Sequence, residues 1–101
     1  MADRVTPVYE MVPVGSQTTD TTISAATSFT APERANAALM SALTQSCNFT
    51  IDGTAPTATV GLTLKAGDSA IMIPVIPGQI IKVIEQTATA NFNIQWVRFG
   101  G

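Results

Sequence analysis

Near its C-terminus the chain reads NFNIQW, which sets Phe92, Ile94 and Trp96 on one parity and Asn91, Asn93 and Gln95 on the other. Successive side chains of an extended backbone point to opposite faces, so this alternation builds a strand with one face in a core and one in water. A helix would scatter the same apolar residues around its cylinder. The period recurs upstream. CNFTID places Cys47, Phe49 and Ile51 inward and Asn48, Thr50 and Asp52 outward; TATVGLTLKAGD places Val60, Leu62 and Leu64 against Thr59, Thr63 and Lys65. GQIIKVIEQ sets Ile81 and Val83 against Ile80, Lys82 and Ile84, and is expected to pair as a hairpin with the last strand through TATA at 87–90.

Turn chemistry separates these runs. Asp52-Gly53 favours positive φ, Thr54 can bond its own backbone and Pro56 supplies no ladder donor, so TIDGTAPTATVG reads as a corner between strands. Ala-Gly-Asp at 66–68 makes a second turn. Ser69 to Ile76 is an apolar run whose Pro74 marks an edge strand or a break. A strand is expected from about Thr21 to Thr30, with Ile23, Ala25, Thr27 and Phe29 on one parity, and residues 14–20 read as a loop. Val5, Val8, Tyr9, Met11 and Val12 form an apolar extended segment interrupted by Pro7 and closed by Pro13; they are the candidate partner-binding residues.

One stretch departs from the pattern. Thr30-Ala-Pro-Glu33 resembles a capping box, and Ala35, Ala38, Leu39, Ala42 and Leu43 recur at helical spacing, so residues 31–45 prefer helix on their own propensity. Ala37, Leu39, Ser41 and Leu43 also alternate, which keeps a strand open there.

These elements predict an all-β fold: a small β-sandwich, with the jelly roll as one arrangement the strand count allows, and an extended N-terminal arm. Residues 1–20 are assigned to an arm or edge strand and residues 21–101 to a single sandwich domain, as a chain of 101 residues supports one core.

The residue inventory is poor in chemistry. The chain has no histidine, which removes the commonest general base and metal ligand. Cys47 is the sole cysteine, on an inward parity without an imidazole to activate it. The acids Asp3, Glu10, Asp20, Glu33, Asp52, Asp68 and Glu85 stand singly, and Asp52-Gly53-Thr54 is explained by its turn. Gly53, Gly61 and Gly67 fit no phosphate-binding pattern. No catalytic, cofactor or metal residues are assigned, and the chain is read as a non-enzyme. Asn48-Phe49-Thr50 matches a glycosylation sequon but reads as polar positions on a strand.

The cations Arg4, Arg34, Lys65, Lys82 and Arg98 form no stripe and the net charge is −2, so neither nucleic acid nor a membrane surface is expected as partner. Only 12% of residues are charged while 46% are hydrophobic, a balance that suits an oligomer or a lattice-bound protein better than a freely diffusing monomer. The N-terminus lacks the basic and apolar pattern of an export signal, so synthesis in a reducing cytosol is expected.

At DGTAPTATVG, then L-x-L-x-A-G-D, then I-x-V-I-E-x-x-A-x-A-N-F-N-I-Q-W, the chain resembles a group of small tailed-bacteriophage virion proteins that share an Asp-Gly-Thr-x-Pro-Thr core. The likeness runs over residues 23–97. It implies a β-sandwich made in the host cytoplasm and incorporated into the virion, with ANAALMSAL as a strand, which reverses the helix preference. The function it implies is capsid decoration or cement, bound to the major capsid protein, with self-association; the alternative is a neck, tail or fibre-tip module that binds a host receptor or glycan.

Overall fold

The computed structural model describes residues 11–100 of the chain. Among them are nine strands and no helix: β1 (Met11–Pro13), β2 (Thr18–Asp20), β3 (Thr27–Thr30), β4 (Ala37–Leu43), β5 (Cys47–Thr50), β6 (Leu62–Leu64), β7 (Ile71–Pro74), β8 (Ile80–Glu85) and β9 (Asn91–Phe99). One sheet runs β1-β9-β4-β7, with β2 also paired to β9; the other runs β3-β8-β5-β6, and every strand pair is antiparallel.

β1 and β2 form one edge strand broken in the middle. Met11–Pro13 pair with Phe99–Val97 and Thr18–Asp20 with Ile94–Phe92, so residues 14–17 bulge opposite Gln95 and Trp96. The bulge is tied back by Val14 N–H donating to the Trp96 carbonyl at 2.8 Å and by the Gln95 amide donating to the Gly15 carbonyl at 3.2 Å. With β1 and β2 counted as one, the chain alternates between sheets at each step except for the β5–β6 hairpin. Eight strands wound in this order make a jelly roll.

The core lies between the sheets. Ile23, Met40, Cys47, Ile81, Val83, Phe92 and Ile94 are buried there, and Phe29 packs on Phe92 with ring centroids 5.1 Å apart. Trp96 is half-buried against the same cluster, in line with its parity.

The Ala-rich segment is strand β4, at the centre of its sheet between β9 and β7. Ladder partners on both sides and burial of Ala38, Met40 and Ala42 override the helix propensity of residues 31–45. The small inner side chains of Ala38 and Ala42 lie opposite Trp96 and Phe92, where aromatic rings fill the space.

Several expectations are corrected. β8 and β9 are not a hairpin: β8 lies in one sheet and β9 in the other, and residues 86–90 cross the sandwich with Ala90 buried and its N–H donating to the Glu85 carboxylate at 3.2 Å. Residues 14–20 are not all loop, because β9 supplies a ladder to Thr18–Asp20. The strand expected at Thr21–Thr30 is only Thr27–Thr30. Ile51, Val60 and Leu62 are exposed rather than inward: β5 ends at Thr50, and Val60 closes a tight turn on Thr57 before β6 begins.

Candidate functional site

TIDGTAPTATVG is a corner that folds back over the outer face of its own sheet. Asn48 anchors it. Its side chain points away from the core, between Cys47 and Phe49, yet it is only 3% exposed. Its Nδ2 donates to the Thr57 carbonyl at 2.9 Å, and its Oδ1 accepts from Gln86 Nε2 at 2.7 Å and Thr63 Oγ1 at 3.2 Å. Pro56 is buried and packs with Asn48 around Gly61. Gly61 has φ +132°, and a Cβ there would lie 3.1 Å from the Phe49 carbonyl oxygen, so this position requires glycine. The folded sequon therefore offers its asparagine to no modifying enzyme.

Asp52 serves the turn. Its Oδ1 accepts from the Thr54 N–H at 3.0 Å, and Thr50 Oγ1 donates to the Thr54 carbonyl. The Thr54 hydrogen bonds hold the Asp52 carboxyl below its ordinary pKa, in full solvent. Cys47 is fully buried; burial, with the nearby Glu85 charge adding to it, pushes its thiol up to about 11, the opposite of an activated nucleophile. Among the described residues no three acids or cysteines converge as a metal site would require.

Part of the exposed apolar surface lies at this corner. Ile51, Asp52, Gly61 and Leu62, with Phe49 and Thr50, line a hollow of ≈ 230 Å³. Gln79 joins it to the neighbouring loop: its Nε2 donates to the Ile51 carbonyl at 3.3 Å and its Oε1 accepts from the Ile76 N–H at 3.1 Å. Val60, Leu62, Ile51, Ile76 and Ile80 are all exposed, and Ile76 is the most exposed large apolar residue among the described residues, at 69%. Sequence reading missed it, since an outward Ile at Ile76-Pro77-Gly78 was the one local sign: a large aliphatic residue placed in a turn.

The outer face of the other sheet differs. Asn93 accepts from Thr19 Oγ1 at 2.7 Å and donates to Ser41 Oγ at 3.2 Å, and Gln17 donates to Thr19 and Asn93. These polar groups are turned on one another. No aromatic side chain among the described residues is among the exposed large apolar ones.

Of the candidate partner-binding residues, Met11 and Val12 lie exposed on edge strand β1. Val5, Val8 and Tyr9 fall outside the described residues. At the opposite edge of that sheet stands β7. Val75 N–H turns inward to the Asn36 carbonyl at 3.0 Å, so by ladder alternation Pro74 sits where its missing N–H falls on the free edge. That edge is poorly suited to strand addition beyond Met72.

No family model, curated protein or solved structure matches the chain.

Proposed function

We propose that this chain is a structural component of a tailed-bacteriophage virion, a capsid decoration or cement protein that binds the major shell protein and takes no part in catalysis. The jelly-roll strand order carries the reading. That fold serves viral capsids, lectins and metal-holding cupins, and the choice among them rests on residues. The chain has no histidine with which to build a cupin-type metal centre. Its outer-face amides are engaged with one another, and the exposed large apolar residues among those described are all aliphatic or methionine, where a sugar-binding surface uses aromatic faces and free polar groups. A packed scaffold with exposed aliphatic residues and few charges fits a lattice position, where many weak contacts add up.

The resemblance of DGTAPTATVG and the closing aromatic strand to phage virion proteins points the same way. Edge strand β1 presents Met11 and Val12 for contact with the shell. The test is the stoichiometry of the chain in gradient-purified particles, with a form lacking residues 1–14 as comparison. A copy number matching the shell lattice, with loss of particle binding on truncation, supports decoration. A copy number matching one vertex or the tail supports the neck, tail or fibre-tip alternative, and absence from particles rejects both.

A further inference from the structure

Among the described residues, β1 to β4 form no ladder with one another. Their five pairings all go to the C-terminal half of the chain: β1 and β2 to β9, β3 to β8, and β4 to both β9 and β7. The C-terminal half pairs internally, through β5 with β6 and β8. The halves are joined by residues 44–46, the shortest connection between successive strands, and it crosses from one sheet to the other. A γ-turn at Thr44 makes the crossing: φ is +75°, and the Gln45 N–H donates to the Leu43 carbonyl at 2.9 Å. Thr44 is the one non-glycine residue among those described with positive φ, a conformation that its β-branched side chain strains. Ser46 is fixed on the far side, its carbonyl accepting from the Gln86 N–H at 3.0 Å and its Oγ from the Ala66 N–H at 2.9 Å, so freedom to open is confined to Thr44 and Gln45.

We propose that two copies of this chain exchange β1–β4 about a hinge at Thr44 and Gln45, each copy's four strands completing the sandwich of the other. β7, β8 and β9 already match β1–β4 strand for strand, and a second copy presents the same partners unchanged. Every ladder and the core are kept, and only the hinge differs. Extending the hinge returns Thr44 to negative φ in both copies, which offsets part of the entropy lost on association. A short connection under strain is the arrangement that invites such exchange. Opening breaks all five pairings, so exchange takes place during folding and the product is kinetically trapped. Around the hinge stand Asp20, Asp68 and Glu85 against Lys65, an acidic excess whose repulsion between two copies salt screens. The exchange concerns the chain free of any particle and does not depend on the decoration reading.

The full chain is refolded from urea at about 1 µM or at about 0.5 mM, diluted to one concentration and examined by sedimentation velocity. The dilute sample is expected to be monomeric, and the concentrated one to contain a dimer that persists after dilution. Thr44→Gly, which holds positive φ without strain, is expected to lower the ratio of dimer to monomer by at least about tenfold. Thr44→Pro, whose ring fixes φ at about −65°, is expected to raise it. Exchange is distinguished from a surface contact by a dimer refolded from equal parts of 13C-labelled and unlabelled chain. Isotope-filtered NMR is expected to show the Ala42 methyl of one chain against the Phe92 ring of the other, two buried residues that face each other across β4 and β9. No soluble dimer after concentrated refolding, a dimer whose Ala42–Phe92 contact lies within each chain, or Thr44→Gly dimerising as readily as the wild type would each overturn the proposal. Thr44→Gly decides alone should Thr44→Pro not fold.

Discussion

Asn48 Nδ2 donates to the main-chain carbonyl of Thr57 at 2.9 Å, and this bond holds the corner between β5 and β6 against the sheet it leaves. The same side chain accepts from Gln86, beyond the end of β8, so three separate segments meet on one amide. A satisfied buried polar group fixes geometry more than it adds stability, but leaving its partners unpaired is costly.

Asn48→Ala is therefore expected to destabilise the fold by about 2–3 kcal/mol, since the Thr57 carbonyl and the Gln86 amide lose a buried partner. In a domain of this size that lowers the midpoint of thermal unfolding by roughly 10 °C or more. Asn48→Ser, which keeps a short donor and acceptor, is expected to lose less. Circular dichroism melts of the three proteins provide the measurement, and equal midpoints for wild type and Asn48→Ala would show that the corner holds without its anchor.

The two glycines of the corner separate backbone strain from crowding. Gly53 has φ +87° with nothing within 4 Å of an added Cβ, so Gly53→Ala meets only the left-handed penalty, about 1 kcal/mol. Gly61→Ala meets an unfavourable φ together with the Phe49 carbonyl oxygen at 3.1 Å and the Asn48 and Pro56 Cβ atoms at 3.3 Å. Its expected cost is larger, on the order of 2–4 kcal/mol. Urea unfolding of both variants checks the order, which a rigid-body shift of the corner would erase.

Pro74 offers a test that separates stability from association. Pro74→Val restores an N–H on the free edge of β7 without disturbing the ladder to β4. Unfolding midpoints are expected to change little, within about 0.5–1 kcal/mol, while aggregation of the folded protein followed by light scattering is expected to rise. Unchanged scattering would mean that the edge is guarded by something other than the proline.

How far these features could be read from the chain depends on what alternation encodes. Period two names the face of a residue, and it placed Cys47, Phe49, Phe92 and Ile94 in the core correctly; it grouped Ile81 with Val83, the pair that is buried, without naming their face as the inner one. It does not name the neighbouring strand. Residues 86–90 are as compatible with a hairpin as with a crossing between sheets, and only the burial of Ala90 and the pairing of β8 with β3 and β5 distinguish them. Nor does it say where the opposing sheet stops, so Ile51, Val60 and Leu62 had the right parity for a core that does not extend over them. Asn48 was hidden for a related reason: an outward polar residue on a strand reads as wet until another segment is known to cover it. The Ala-rich strand β4 shows the converse, with local propensity for helix outweighed by two flanking ladders that no local window contains.

Cys47 links the core to a pH dependence. Its thiol is fully buried and its pKa raised from 9.0 to about 11, so the folded state favours the neutral form. Because the unfolded chain releases this proton at lower pH than the folded one, stability from Cys47 is fully present below about 9, declines as pH rises, and is gone above about 11. The loss across that window is on the order of 2 kcal/mol. Native protein is accordingly expected to react with a disulfide reagent at pH 8 far more slowly than unfolded protein, at a rate set by opening of the fold. Cys47→Ala is expected to flatten the fall in stability between pH 9 and 11 and to lower stability at pH 7 by roughly 1 kcal/mol through lost packing. Urea midpoints for wild type and Cys47→Ala across that pH range measure the difference directly, and parallel curves would place the thiol in contact with water.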